Sequence, residues 1–325
     1  MAEDPIGRND RPRVAVIGAG RIGAVHAGNL VASGAQVVVV EPDERRAAQL
    51  AGHPGLAVVA DLSEVGTVGG YVVCSPTDTH ARVVSQVLDR RVPVLVEKPC
   101  CADPVTTRSL GAAADRWKVP LYIGFQRRFA PEYLALRDRV REGGDRFLYA
   151  AFTSFDGAPP PPGYQVAGGS LAYDLQIHDV DLMLWIFGVP VAQVTGVQAE
   201  LDKVPDTLLT SVRLANGVVC AIISKRMSGH GCEVYAELVG TRTTVRTADP
   251  ARAGGYADFR ERFAEAYAAE IRAFLAVVEG GTTATHLATW EDAARAEEVC
   301  RAIESSLCGA GASTPTITSR RARST

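Results

Sequence analysis

Apolar runs and amphipathic stretches alternate regularly through the first third of the chain. Arg13–Ile17 is a short β-branched run of the buried-strand type, residues 22–33 are compatible with a helix, and Gln36–Val40 is a second apolar run. Strand-like runs recur at 56–60, 71–74 and 94–96, with a helical pattern at 80–91. A helical stretch at 112–117 and a strand at 119–125 complete this part. Strands separated by helices pair in parallel through crossovers, so this order predicts an α/β fold. The expectation is an N-terminal Rossmann-type doubly wound parallel sheet over residues 13–126.

Beyond residue 126 the pattern changes. Residues 126–143 start with two arginines and continue as an amphipathic helix, Phe147–Phe155 is strand-like, and 158–163 is a rigid proline run, APPPPG. Residues 168–188 look like a buried amphipathic helix. From 191 to 247 strand follows strand, with a turn at Asn216 and Gly217, which is the pattern of an antiparallel meander. Helical segments at 259–279 and 290–307 close the chain. A second, α+β domain with a large, mostly antiparallel open sheet is therefore expected over 127–308, with flexible termini at 1–12 and 309–325. One face of that sheet would pack on helices. The other keeps alternating apolar residues (Leu209, Val219, Ala221, Ile223), and such a face usually finds a partner.

Composition narrows the classes. At 325 residues the chain exceeds one ordinary core, consistent with two domains. Charge is nearly balanced, 34 basic against 37 acidic residues for a net charge of -3, and no basic run lies beside clustered aromatics, so a nucleic-acid partner is not expected. The apolar runs stop well short of the roughly 20 residues a membrane helix needs, and the N-terminus has no apolar signal-peptide core. A soluble cytoplasmic protein without a membrane partner is expected. The seven cysteines form no C-x-x-C pair and the six histidines stand at no zinc-ligand spacing, so reduced thiols and no metal are expected.

The chemistry concentrates in three places. GAGRIG follows the first strand directly: Gly18 permits the tight turn, Gly20 lets backbone approach a pyrophosphate, and Gly23 lets the next helix lie close to its strand. The helix N-terminus beginning at Arg21 and Ile22 supplies amide donors for phosphates. Glu41 ends the second strand, where an acid accepts hydrogen bonds from ribose hydroxyls and repels a 2′-phosphate. This favours NAD, with NADP left open by Arg45 and Arg46 one turn on. Next come the loops SPTDTH, with Ser75, Pro76, Thr77 and His80, and EKP, with Glu97 and Lys98. Both leave C-terminal strand ends, the side on which a cofactor cleft forms. Third, Asp174 and His178 stand four apart among apolar residues, on one helical face. The segment can be read as a core helix with a satisfied histidine, or as the proton-handling wall of an active site, and the glycine motif weighs toward the second reading.

Taken together these residues resemble the glucose-fructose oxidoreductase/inositol dehydrogenase (Gfo/Idh/MocA) family of nicotinamide-dependent oxidoreductases over nearly the whole chain. Within the family the chain is most similar to inositol 2-dehydrogenases, judged by GFQRRFAPEY, APPPPGYQVAGG, IHDVD and FRERFAEAYAAEIRAF. The resemblance implies oxidation of a secondary alcohol with hydride passing to the nicotinamide. It implies Lys98, Asp174 and His178 as the catalytic group: His178 as base, Asp174 orienting it, and Lys98 hydrogen-bonding the reacting oxygen. Arg127 and Asp181 match family positions near the polyol, and Asp156, Tyr164, Glu233 and Tyr235 complete the candidate substrate contacts. Two departures bear on the substrate. Phe155 replaces an arginine, and 230–235 (HGCEVY) replaces a Tyr-Gly-Tyr-Asp-Gln-Arg segment, where Glu233 adds a partner for an ammonium group. A cyclitol, aminocyclitol or sugar substrate is expected. The alternatives are an NADP-dependent ketoreductase of nucleotide-linked sugars and a non-catalytic nucleotide-binding regulator. The resemblance also implies face-to-face homodimers, paired into homotetramers, through the C-terminal sheet.

Overall fold

The computed structural model describes residues 11–157, 169–227, 231–247, 256, 258–281 and 285–307. Six parallel strands form the first sheet: β1 (Arg13–Ile17), β2 (Gln36–Val40), β3 (Leu56–Val59), β4 (Gly70–Val73), β5 (Val94–Glu97) and β6 (Leu121–Gly124). A two-residue antiparallel strand, β13 (Ala288–Thr289), extends it beside β6. The order β13-β6-β5-β4-β1-β2-β3 changes direction between β1 and β4, and the loops that leave β1 and β4 open a crevice there.

These strands are continuous apolar runs because both faces of the sheet are covered. On one face Val14, Val16, Val37 and Val39 pack with Leu30 of α1 (Arg21–Ala32) and with Ile271 and Phe274 of α8 (Ala264–Val278). On the other, Ala15, Ile17, Val38 and Val73 meet Val84 and Val87 of α3 (Thr77–Leu88). The helix expected over 112–117 begins earlier and spans Pro104–Trp117 as α4, because Asp103 accepts the Thr106 N–H at 3.0 Å and proline occupies the first turn. Helix α2 (Glu44–Leu50) is likewise capped by Asp43, α5 (Pro131–Arg141) again starts on proline, and the one-turn α7 (Phe259–Arg262) is capped by Asp258.

The second sheet holds β7 (Phe147–Phe155), β8 (Val191–Leu201), β9 (Val204–Leu214), β10 (Val219–Lys225), β11 (Glu233–Gly240) and β12 (Thr244–Arg246), in the order β12-β11-β7-β10-β9-β8. All neighbours are antiparallel except β7 and β10, which run parallel. Its inner face (Val194, Leu208, Val212, Ile222) packs with α6 (Ile177–Phe187) and α9 (Trp290–Leu307) in one core with part of the first sheet. The outer face has no cover within the described chain: Val197 is 66% exposed, Leu209 46% and Val219 43%.

The stretch 127–308, expected as one second domain, divides itself between the two sheets. Helix α8 and strand β13 return to the parallel sheet, where the apolar face of α8 is buried against α1. No described helix is long and apolar enough to cross a membrane.

Candidate active site

The loops after β1, β2, β4 and β5 meet α6 and the ends of β7 and β10 around a cavity of about 2030 Å³. The glycine turn forms one end. Gly18 has φ +96, and a Cβ there would lie 2.8 Å from the Cys74 carbonyl oxygen. A Cβ on Gly23 would lie 1.9 Å from the Gly18 oxygen, so both glycines are required by close packing. At Gly20 an added Cβ would meet nothing within 4 Å, and the residue borders the cavity. The first turn of α1 carries no side-chain cap and no acidic residue. Open backbone at a bare, twelve-residue helix N-terminus fits the pyrophosphate of a dinucleotide. Arg21 and Ile22 line the same end.

Glu41 is buried and borders the cavity, with Oε2 accepting the Ala19 N–H at 2.7 Å and Oε1 the Asp43 N–H at 3.0 Å. Those bonds hold the glycine loop, and the remaining lone pairs are where ribose hydroxyls would donate. Arg46 lines the cavity and Arg45 does not. In the next loop Ser75, Pro76 and Thr77 also line the cavity, and His80 locks this loop to the following one: its nitrogens lie 2.8 Å from the Ser75 oxygen and 3.0 Å from that of Pro99. The Lys98-Pro99 peptide is cis.

At the far end lie Lys98, Asp174 and His178. Asp174 falls in a π-helical turn, Ala172–Gln176, that runs directly into α6. Such a turn holds one extra residue and often sits at functional sites. Gln176 secures it, donating to the Leu208 carbonyl at 2.8 Å and accepting from Thr210 at 2.7 Å, both on the inner sheet face. Lys98 Nζ donates to the Asp174 carbonyl oxygen at 2.7 Å and stands 3.6 Å from its Oδ1. Arg226 Nη1 donates to Asp174 Oδ2 at 2.6 Å. His178 lines the cavity with its ring edge-on to Phe125, and its buried Nδ1 has no hydrogen-bond partner among the described residues. Burial, helped by the positive charges of Arg127 and Lys98, pushes the His178 imidazole well below its usual pKa. The ring is thus neutral near pH 7 and able to take a proton. Asp156 also faces the cavity, its carboxyl pushed up first by burial and then by the charge of Asp174.

Asp174, expected to orient His178, lines the cavity with it, and its carboxylate engages the cations Lys98 and Arg226. Other expected residues are placed elsewhere. Asp181, expected near the polyol, is 1% exposed and sealed in a bidentate pair with Arg128, away from the cavity. Glu233 and Tyr235 point from β11 to the outer sheet face, because strand alternation gives the cavity their neighbours Cys232 and Val234. Tyr164, like His230, lies outside the described residues. Arg127 does border the cavity, but its Nη1 is tied to Asp179 at 2.7 Å and Ser154 at 2.9 Å.

The sequence carries little signal for Arg226, Asp179 and Gln176. The only signal for Arg226 is a basic pair, Lys225 and Arg226, ending an otherwise apolar strand. Among the described residues one cluster has metal-ligand types in proximity, His26, Glu97 and Glu270, within 4.8 Å of one another.

A glycine turn shaped for a dinucleotide, an acid beside it and a neutral imidazole at the far end of the same cavity define an NAD-binding oxidoreductase. Comparison with known proteins agrees: residues 12–125 match "Oxidoreductase family, NAD-binding Rossmann fold", and residues 133–246 match "GFO/IDH/MocA C-terminal domain". The chain belongs to the Gfo/Idh/MocA oxidoreductase family. It is 35% identical over 313 residues to myo-inositol dehydrogenase Hyg17 of Streptomyces leeuwenhoekii, covering 90% of this chain and 96% of that protein. A crystal structure of a putative myo-inositol dehydrogenase from Sinorhizobium meliloti superposes with a TM-score of 0.84 at 26% identity, covering 94% of this chain and 100% of the other. GenD2 from gentamicin A biosynthesis, solved in complex with NAD, gives 0.83 at 25% identity over 97% and 99% of the two chains.

Proposed function

We propose that the protein oxidises a secondary alcohol of a cyclitol, aminocyclitol or sugar to the ketone, with NAD as acceptor. The observation that carries this reading is the neutral His178 on the cavity wall it shares with Lys98. NAD, when bound, supplies the two-electron acceptor. Gly18, Gly20 and the start of α1 would hold its pyrophosphate and Glu41 its ribose.

The chain's own residues handle the proton. His178 takes the hydroxyl proton, while the Lys98 ammonium donates to the reacting oxygen and stabilises the charge that develops there. Asp174, held by Arg226, anchors Lys98 at the cavity wall. In the reducing direction the same two groups return the proton. Asp156 and Arg127 supply polar contacts for hydroxyl or amino substituents, and relatives named inositol dehydrogenases support a polyol.

The test is the appearance of reduced nicotinamide absorbance when purified protein meets NAD and myo-inositol at mildly alkaline pH, with aminocyclitols and sugars assayed beside it and NADP beside NAD. Turnover that disappears in Lys98→Met and His178→Ala supports the assignment. Turnover of acyclic alcohols or hydroxy acids alone would remove it.

The outer face of the second sheet, with Val197, Leu209 and Val219, pairs with a second copy of the chain, giving a dimer or tetramer. Leu209→Glu should shift the mass measured by light scattering toward the monomer. The six free cysteines among the described residues suit a reducing cytoplasm.

A further inference from the structure

Behind the cavity wall lies a polar cluster that the chemistry above leaves unused. His26, fully buried on α1, meets Glu97 Oε1 through Nε2 at 2.7 Å, and Glu97 Oε2 accepts the Lys98 N–H at 3.1 Å. Glu270 on α8 is 1% exposed, and it stands within 4.8 Å of both. Neither Glu270 oxygen has a hydrogen-bond partner among the described residues. One turn before it, Tyr267 sets its ring edge-on to His26 at 5.6 Å and accepts the Gln126 amide at 3.0 Å.

Two carboxyl groups this close, one of them fully buried, do not both ionise unless a cation lies between them. The charged and titratable groups facing Glu270 are Glu97 and His26 from β5 and α1, Cys74 after β4, Arg128 from the turn before α5, Asp181 on α6, and Tyr267 on its own helix. Arg128 is already held by Asp181 and Asp292. Burial first, and then the charge of Glu97, push the Glu270 carboxyl well above the usual carboxylate range. Glu97, by contrast, has two partners and reaches the cavity edge.

We propose that Glu270 is a positioning residue: kept as a neutral acid, it leaves one negative charge on Glu97, which stays on His26 and on the Lys98 N–H and so fixes the backbone from which Lys98 reaches Asp174. The proposal rests on the reading of Lys98 as catalytic, but the state of Glu270 can be read without turnover. Positioning is intact while Glu270 keeps its proton and fails as pH rises through its raised pKa, when two adjacent carboxylates repel.

Infrared difference spectra of wild type minus Glu270→Gln test this directly. A protonated carboxylic-acid carbonyl band is expected in the wild type near neutral pH, fading at alkaline pH and absent from the variant. The subtraction separates it from Glu297, whose buried carboxyl is pushed up to about 8. In wild type, NAD affinity measured by calorimetry is expected to fall at alkaline pH; Glu270→Gln, a neutral side chain of the same shape, should keep NAD affinity and turnover within about twofold at neutral pH and show no such fall. If the variant does not fold, the pH-dependent loss of the band in wild type reads the same state. No acid band, an unchanged alkaline fall in Glu270→Gln, or stoichiometric metal in the purified enzyme would overturn the proposal. Failure of Lys98→Met to reduce turnover would instead remove the catalytic reading and leave the spectroscopic result standing.

Discussion

Two polar groupings lie on successive turns of the same helical segment and differ in one respect. At the start, Asp174 and His178 face a cavity: Asp174 is shared by Lys98 and Arg226, and His178 keeps a buried nitrogen without a partner among the described residues. Further along, Asp179 and Asp181 are closed off by Arg127, Ser154 and Arg128, with Asp292 completing the second group. Residue types are nearly the same in both. Pairing separates them: the carboxylates of Asp179 and Asp181 are held by cations and a hydroxyl inside the protein, while the first grouping sets an imidazole and an ammonium on the cavity wall.

Breaking the open group should cost most in chemistry. Lys98→Met and His178→Ala are each expected to lower kcat by about 10²- to 10⁴-fold with Tm nearly unchanged, measured by nicotinamide absorbance and thermal melting. The closed group should show the opposite signature. Arg128→Ala leaves Asp181 buried without its cation and should cost about 3–5 kcal/mol of stability by denaturant titration. Equal activity loss from Asp181→Asn and His178→Ala would dissolve the distinction.

Arg226 joins the two behaviours, since it is buried like the closed group yet serves Asp174. Arg226→Ala should reduce kcat by roughly ten- to a hundredfold, the worth of one charged buried hydrogen bond, and Arg226→Lys should recover part of it. A smaller effect is expected in the pH profile. A free imidazole titrates near 6.5, and because burial holds His178 well below that value it stays neutral in mild acid. The acidic limb of kcat/KM should therefore lie below pH 6.5 and be absent from the residual activity of His178→Ala. Smallest of all, Glu233→Gln and Tyr235→Ala, on the outer sheet face, should leave KM within about twofold, while oligomer mass by light scattering is the property they move.

Much of this was legible in the sequence because it depends on near neighbours. The strand, glycine turn and helix from Arg13 to Ala32 follow from β-branched residues beside glycines placed where a Cβ would collide. The Asp103 cap and proline start of α4 are equally local, although the expected helix omitted its first two turns. The four-residue spacing of Asp174 and His178 placed both on the cavity wall even though the turn between them is π-helical, since that spacing is nearly a full turn in either geometry.

By itself the sequence determined the alternating order of the first sheet, the dinucleotide turn and the residue types of the reaction, because each is encoded within about one turn or one strand. Only the tertiary structure decided which polar groups remain available. Whether Asp181 meets substrate or Arg128, whether Glu233 faces the cavity or the outer sheet face, and whether Glu270 has a cation are settled by elements more than 50 residues away in the chain. Pairing, burial and strand facing arise from the packing of distant segments, and no local pattern of side chains carries them.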